Sequence, residues 1–268
     1  MFDVEVPVAP TLVERLLALA GLYTEHNDRI DLLLAGTAAP APDAYVSSAR
    51  RLEREALACV KAVRQQRLAP VEPVPSAVVR LKQTAYLTSG ATRYLTSAQQ
   101  SLPTDDAAPA RLDRRRGFGQ HVRQARELTA LAPATVVEST THFAYRLPAK
   151  AHAHTTVPGM DGAQRRSLLM IARGHVAVTG HYEAGSHDRT DSVDTDMLRR
   201  LDAQGLVTCD AASAPPFYSG GQPRDRVRLT PLGLSVLSTV IAEPLPAGPP
   251  TARPVPAPAA TPSARTRR

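Results

Sequence analysis

The stretch Val193-Asp-Thr-Asp-Met-Leu-Arg-Arg-Leu-Asp-Ala-Gln-Gly-Leu-Val207 carries the clearest local signals in the chain. Val193, Met197 and Leu201 stand four apart, so on a helix they share one face, and Leu198 widens it. Asp194 is placed to cap the first turn. Gly205 falls just past the last apolar position, where a left-handed cap favours glycine. Toward the C-terminus, Leu206-Val-Thr-Cys209 predicts a strand, a turn-rich stretch follows, and Asp225-Arg-Val-Arg-Leu-Thr230 alternates as a second strand. Thr230-Pro231 is an N-cap followed by proline at the first helical position. It predicts a last helix bearing Leu232, Val236, Leu237, Val240 and Ile241. Toward the N-terminus, Ser167 to Ala172 predicts a short helix ended by Gly174, and His175-Val-Ala-Val-Thr179 alternates like a strand. Glu183 to Asp191 has no apolar residue larger than alanine, so a second amphipathic helix is expected to be missing or reduced there.

Helix, strand, loop, strand, helix is the order of a winged-helix domain. The segments Leu198-Arg-Arg-Leu-Asp-Ala-Gln-Gly-Leu-Val207 and Asp225-Arg-Val-Arg-Leu-Thr-Pro-Leu-Gly233 resemble the recognition helix and wing of bacterial winged-helix (helix-turn-helix) transcriptional regulators. The resemblance covers about a third of the chain, from Asp161 to Ala242. It implies that the 193–204 helix enters the major groove of double-stranded DNA, where arginine reaches guanine edges or phosphates. Thr195, Arg199 and Arg200 are the expected readers. Arg224, Arg226 and Arg228 are the expected backbone contacts of a Gly-rich wing after Tyr218-Ser-Gly-Gly221. Alternation places Arg226 and Arg228 opposite Val227 and Leu229, hence toward solvent. The competing reading is an ordinary solvated face, with Arg199 and Arg200 paired to Asp196 and Asp202 at helical spacing.

Residues 1–146 predict a helical bundle. Phe2 to Val8 alternates as an edge strand or an extended arm. Thr11 then caps a helix whose seam is Leu12, Leu16, Leu19, Tyr23, His26, Ile30 and Leu33, a heptad pattern interrupted by His26 alone. After Gly36 to Pro42, a second seam runs through Tyr45, Ala49, Leu52, Ala56, Cys59 and Val63, which predicts a long antiparallel helical hairpin. Further helices are expected from Ser76 to Gln100, from Ala110 to Leu131 and from Ala134 to Tyr145. The third has a thin face that either packs closely or is only partly buried. Residues 147–159 read as a linker, 160–242 as the winged-helix domain, and the Pro/Ala/Arg-rich 243–268 as a disordered tail. The fold class expected is therefore mainly α with a small antiparallel sheet.

Charge and motifs narrow the function classes. The chain carries a formal +7, yet Gly159 to Ala242 holds nine Arg and nine Asp/Glu, so the excess lies elsewhere. The densest basic run, Arg111, Arg114, Arg115, Arg116, Arg123 and Arg126, spreads over more than half a helix circumference. It reads first as a solvated face and second as an accessory DNA or acidic-partner surface. Cys59 and Cys209 lie far apart and outside any CxxC pattern, as expected of two reduced thiols. His152, His154, His175, His181 and His187 lack fixed spacing and a cysteine partner, so no metal or other cofactor is expected. No hydrolase elbow, phosphate loop, dinucleotide fingerprint or zinc-protease motif is present, so no enzyme is expected. No basic leader or span of roughly 18 apolar residues is present, so a cytoplasmic protein without membrane contact is expected. Two functions follow as expectations. The first is a DNA-binding transcriptional regulator whose bundle forms a homodimer or senses a partner. The alternative is a non-enzymatic interaction or scaffold protein, with the winged helix as a degenerate packing module and the N-terminal hairpin as its working surface.

Overall fold

The computed structural model describes residues 10–38, 41–101, 108–147, 160–179 and 193–242, with backbone alone at 42 and 108–115. The molecule is mainly helical, with one small antiparallel sheet. α1 (Leu12–Leu34) begins at Thr11, whose hydroxyl accepts the Glu14 amide while the Glu14 carboxylate accepts the Thr11 amide at 2.7 Å. This reciprocal cap satisfies two orphan donors of the first turn. α2 (Pro42–Gln65) returns beside it. His26 meets Ser48 near one end of the pair and Arg15 faces Cys59 toward the other, so the hairpin is antiparallel, as the two seams predict. α3 (Val74–Gln100) returns in turn, with Thr92 near Glu53 and Gln99 on Asp43.

The fourth rod of the bundle is broken in two. α4 (Ala108–Thr129) runs beside the C-terminal half of α1, and α5 (Ala132–Ala144) continues beside its N-terminal half. Pro133 explains the break. It has no N–H for the Thr129 carbonyl four residues back, and its ring crowds that carbonyl. Asn27 of α1 replaces the missing donor: its Nδ2 donates to Thr129 O at 3.0 Å, and the Thr129 hydroxyl donates to Asn27 Oδ1 at 2.6 Å. Leu131 is left on the surface at the corner. The α3 face left open by its sequence packs closely. Thr84, Thr88, Ala91 and Leu95 are buried, and a Cβ at Gly90 would sit 3.1 Å from Leu128 of α4.

The C-terminal part runs α6 (Gly162–Ala172), β1 (Ala177–Val178), α7 (Thr195–Ala203), β2 (Val207–Ala214), β3 (Arg224–Leu229) and α8 (Pro231–Ile241). β3 is the middle strand, antiparallel to both neighbours, in the order β1-β3-β2. Gly205 ends α7 at a positive φ of 68°, and the Thr230 hydroxyl caps α8 by accepting the Gly233 amide at 3.0 Å. α6 starts earlier than its apolar residues suggest, because Asp161 and Gln164 form a second reciprocal cap. β2 is longer than expected. Its ladder slips between Asp210 and Ala214, where Ala212 takes a positive φ and donates its amide to the Asp225 carboxylate at 2.8 Å.

The two parts share one apolar core. Val13, Leu16, Leu17, Leu19 and Tyr23 of α1 belong to the same buried cluster as Leu168, Leu198, Leu201, Val227, Val236 and Leu237. A second cluster fills the far end of the bundle around Ile30, Leu95 and Val122. The predicted linker lies, except for the buried Leu147, outside the described residues, and so do the N-terminal arm, the Glu183–Asp191 stretch and the 243–268 tail. Cys59 is a buried free thiol. Among the described residues no helix is long and apolar enough to cross a membrane.

Candidate nucleic-acid interface

α7 packs Met197, Leu198 and Leu201 inward and turns Asp196, Arg199, Arg200 and Asp202 to solvent. Asp194 caps it, and Thr195, half-buried, opens it. Arg199 pairs with Asp196 at 2.8 Å, half of its side chain still exposed. Arg200 reaches back over the helix to Met197 Sδ at 3.9 Å. The outer strip thus holds two guanidiniums among the carboxylates of Asp194, Asp196 and Asp202. Arg224, at the base of the wing, donates to Pro215 O at 3.0 Å and lies 5.7 Å from the centre of the Phe217 ring. Phe217 and Tyr218 are exposed at the tip.

Arg226 and Arg228 depart from expectation. Alternation does put them opposite Val227, but that face is not solvated, because α1 covers it. Arg226 is 7% exposed, and its guanidinium donates to both carboxylate oxygens of Asp28, at 2.5 and 2.9 Å. It also donates to Gly174 O at 2.6 Å and Val176 O at 3.2 Å. With its fork committed to a carboxylate and two carbonyls, it has no face for a phosphate. Arg228 donates to Asp210 at 2.5 Å and lies 3.8 Å from Asp28, four-fifths of its side chain buried. The expected set of six DNA-facing residues therefore reduces to Thr195, Arg199, Arg200 and Arg224.

Asp28, which no pattern in the sequence marks, anchors this junction. Burial pushes its carboxyl above the usual range, and the Arg226 guanidinium pulls it back by hydrogen bond and charge. Gly174 is required beside it. It takes a positive φ of 75°, and a Cβ there would lie 2.5 Å from the Thr24 hydroxyl. The stretch Tyr23 to Asp31 of α1, about two and a half turns, thus sends its polar side chains to four other elements. Tyr23 bonds Thr88 of α3 at 2.6 Å, His26 bonds Ser48 of α2 at 3.0 Å, and Asn27 bonds Thr129 of α4. Asp28 holds β3, and Asp31 takes Arg126 of α4 at 2.8 and 2.9 Å. Burial, then the charges of Arg29 and Arg126, depress the His26 pKa to about 4, so the ring is neutral.

The predicted basic run is partly spent inside the fold. Arg126 is the partner of Asp31, Arg116 and Arg123 are exposed, and the side chains of Arg111, Arg114 and Arg115 lie outside the described residues. His152, His154, His181 and His187 lie outside them too. Among its described residues the hairpin carries no apolar strip: the exposed large apolar residues there are Leu34 and Leu57, far apart. Val79, Tyr86 and Leu87 are exposed together on α3 instead. No protein-family model matches this chain, and neither does any curated protein or solved structure.

Proposed function

We propose that the protein binds double-stranded DNA as a transcriptional regulator, with its C-terminal part acting as a winged helix. The observation that supports this most is topological. A helix, α7, leads directly into a two-stranded wing whose second strand is the middle of a β1-β3-β2 sheet, and the outer residues of that helix, Asp196, Arg199, Arg200 and Asp202, are exposed. An exposed helix beside a β-ribbon suits a major groove about 12 Å wide. Arg199 and Arg200 approach base edges or phosphates, Thr195 meets the backbone at the helix start, and Arg224 follows the phosphates at the wing. The action is occupancy of an operator, without covalent chemistry.

The test is a fluorescence-anisotropy titration of the full chain against genomic DNA fragments at several salt concentrations, beside Arg199→Ala/Arg200→Ala. The expected result is steep salt dependence in the parent, flattened in the variant by about one unit for each arginine–phosphate pair removed. Equal affinity and slope in the two proteins, or no binding by either, would sink the reading.

One observation favours the interaction-protein alternative. Val79, Tyr86 and Leu87 form an exposed apolar strip on α3, and Leu87 also lines a groove with Leu128 and Leu131. In that reading the bundle works through α3, and the carboxylates of α7 repel DNA.

A further inference from the structure

The outward face of α2 carries a feature that neither α7 nor the wing has. Arg50, Arg54, Leu57, Lys61 and Arg64 follow one another at steps of four, three, four and three, so they lie in a line along the helix. All five are exposed, and Arg51 lies exposed beside them. The row spans about 21 Å at 1.5 Å per residue. None of its cations forms an ion pair with a described residue, in contrast to Arg199, Arg226 and Arg228. The carboxylates of α2 nearest the row are engaged with α3: Asp43, one heptad before Arg50, is bonded by Gln99, and Glu53 is half-buried near the Thr92 hydroxyl, while Glu55 sits on the flank.

We propose that this row is a second, sequence-independent contact for the phosphate backbone of duplex DNA; the proposal rests on the DNA-binding reading above. A straight line of like charges has a self-repulsion that a linear polyanion relieves. Duplex DNA supplies one negative charge per roughly 1.7 Å of axis, and its backbone runs past the whole length of the row. Arginine and lysine in a row are the side chains that pair with phosphate oxygens, and such contacts position a duplex without specifying its sequence. A membrane surface is a poorer match. A helix lying in the lipid interface presents an apolar face, and the apolar face of α2, through Leu52, Ala56, Cys59 and Val63, is buried against the bundle. The row explains how DNA is held although the winged segment is charge-neutral: α2 supplies the long-range attraction, and α7 the choice of sequence.

The experiment compares the full chain with Arg50→Gln/Arg54→Gln/Lys61→Gln/Arg64→Gln and with Arg199→Ala/Arg200→Ala. Binding to a short DNA duplex is followed by anisotropy over a range of salt, and a circular-dichroism melt checks that each variant is folded. The α2 variant is expected to melt like the parent and to show a log–log salt slope smaller by about three to four units, at roughly 0.9 unit per neutralised phosphate. It should weaken binding to matched and scrambled duplexes alike. The α7 variant is expected to lose discrimination between duplexes and keep the part of the slope that α2 supplies. An α2 variant with the parent's slope, beside an α7 variant that no longer binds, overturns this proposal and leaves the DNA-binding reading standing. No binding of duplex by the intact chain overturns both. Co-sedimentation with phosphatidylserine-containing vesicles that disappears in the α2 variant, without duplex binding by the parent, overturns the proposal in favour of a lipid surface.

Discussion

Arg226 on β3 and Arg199 on α7 are the same residue type, placed by the same kind of periodic reasoning on the side away from the core, and they end in opposite environments. Arg199 keeps half its side chain in water and a carboxylate three residues away. Arg226 is enclosed, with Asp28 198 residues earlier in the chain as its partner. The difference is not in the local sequence. A period tells which residues face together. Whether that face meets water depends on what else packs there, and α1 packs on the second face of the sheet. A basic stripe therefore indicates a ligand only after its internal carboxylates have been found, which is why α2 and not β3 is the candidate phosphate surface.

The contrast can be broken by mutation. Arg226→Ala strands the Asp28 carboxylate in the core and is expected to cost about 3–5 kcal/mol in urea unfolding, whereas Asp28→Asn with Arg226→Met should recover much of that. A single-variant loss below about 1 kcal/mol would mean that the junction opens to water and that Arg226 is as free as Arg199. The same stretch of α1 predicts a pH effect with a definite sign. His26 titrates near 6.5 when unfolded and near 4 when buried, so between these values the unfolded chain binds a proton that the folded chain does not. Stability is therefore complete above pH 6.5 and falls as pH drops toward 4, by roughly 3 kcal/mol in all. His26→Gln should flatten that part of the stability–pH curve, and an unchanged curve would show the ring to be solvated.

Gly233→Ala sharpens the comparison at the other end of the sheet. A Cβ there would run into the Leu206 carbonyl oxygen, backbone that has little room to retreat. A loss of about 2–3 kcal/mol in thermal or urea unfolding is expected, as for overpacked cores, and a neutral result would mean that α8 can slide away. The smallest effect belongs to α7. Arg199→Ala should change stability by less than about 0.5 kcal/mol, because an exposed pair at helical spacing contributes little. A larger loss would reveal that α7's outer face is structural.

The parts of the fold legible in the sequence are those written locally. Thr11 before α1, Gly205 after α7 and Thr230 before Pro231 are cap signals that need no tertiary knowledge, and the two heptad seams fix the hairpin. The Asp161–Gln164 cap is equally local and extends α6, but the apolar spacing alone draws the eye to its second half. What is not legible depends on distant partners. Asn27 resembles a solvated residue on a helix until Pro133 frees the Thr129 carbonyl, and Asp28 resembles a surface acid until β3 arrives. His26 is the one member of that stretch whose break in the heptad pattern sets it apart. Of the candidate site, Arg199 and Arg200 keep the exposure that the period of α7 predicts, whereas Thr195 and Arg224 are half-buried, Arg224 through its bond to Pro215. Arg226 and Arg228 are misplaced by their alternation, which carries no sign of α1.

The hub position of α1 also has a consequence for synthesis. It leaves the ribosome first among the described elements, yet Arg226 follows Asp28 by 198 residues. At about 5–20 residues per second, the nascent chain waits roughly 10–40 s before that carboxylate meets its partner. The helix at the centre of the finished molecule thus keeps one face open until nearly the whole chain has been made.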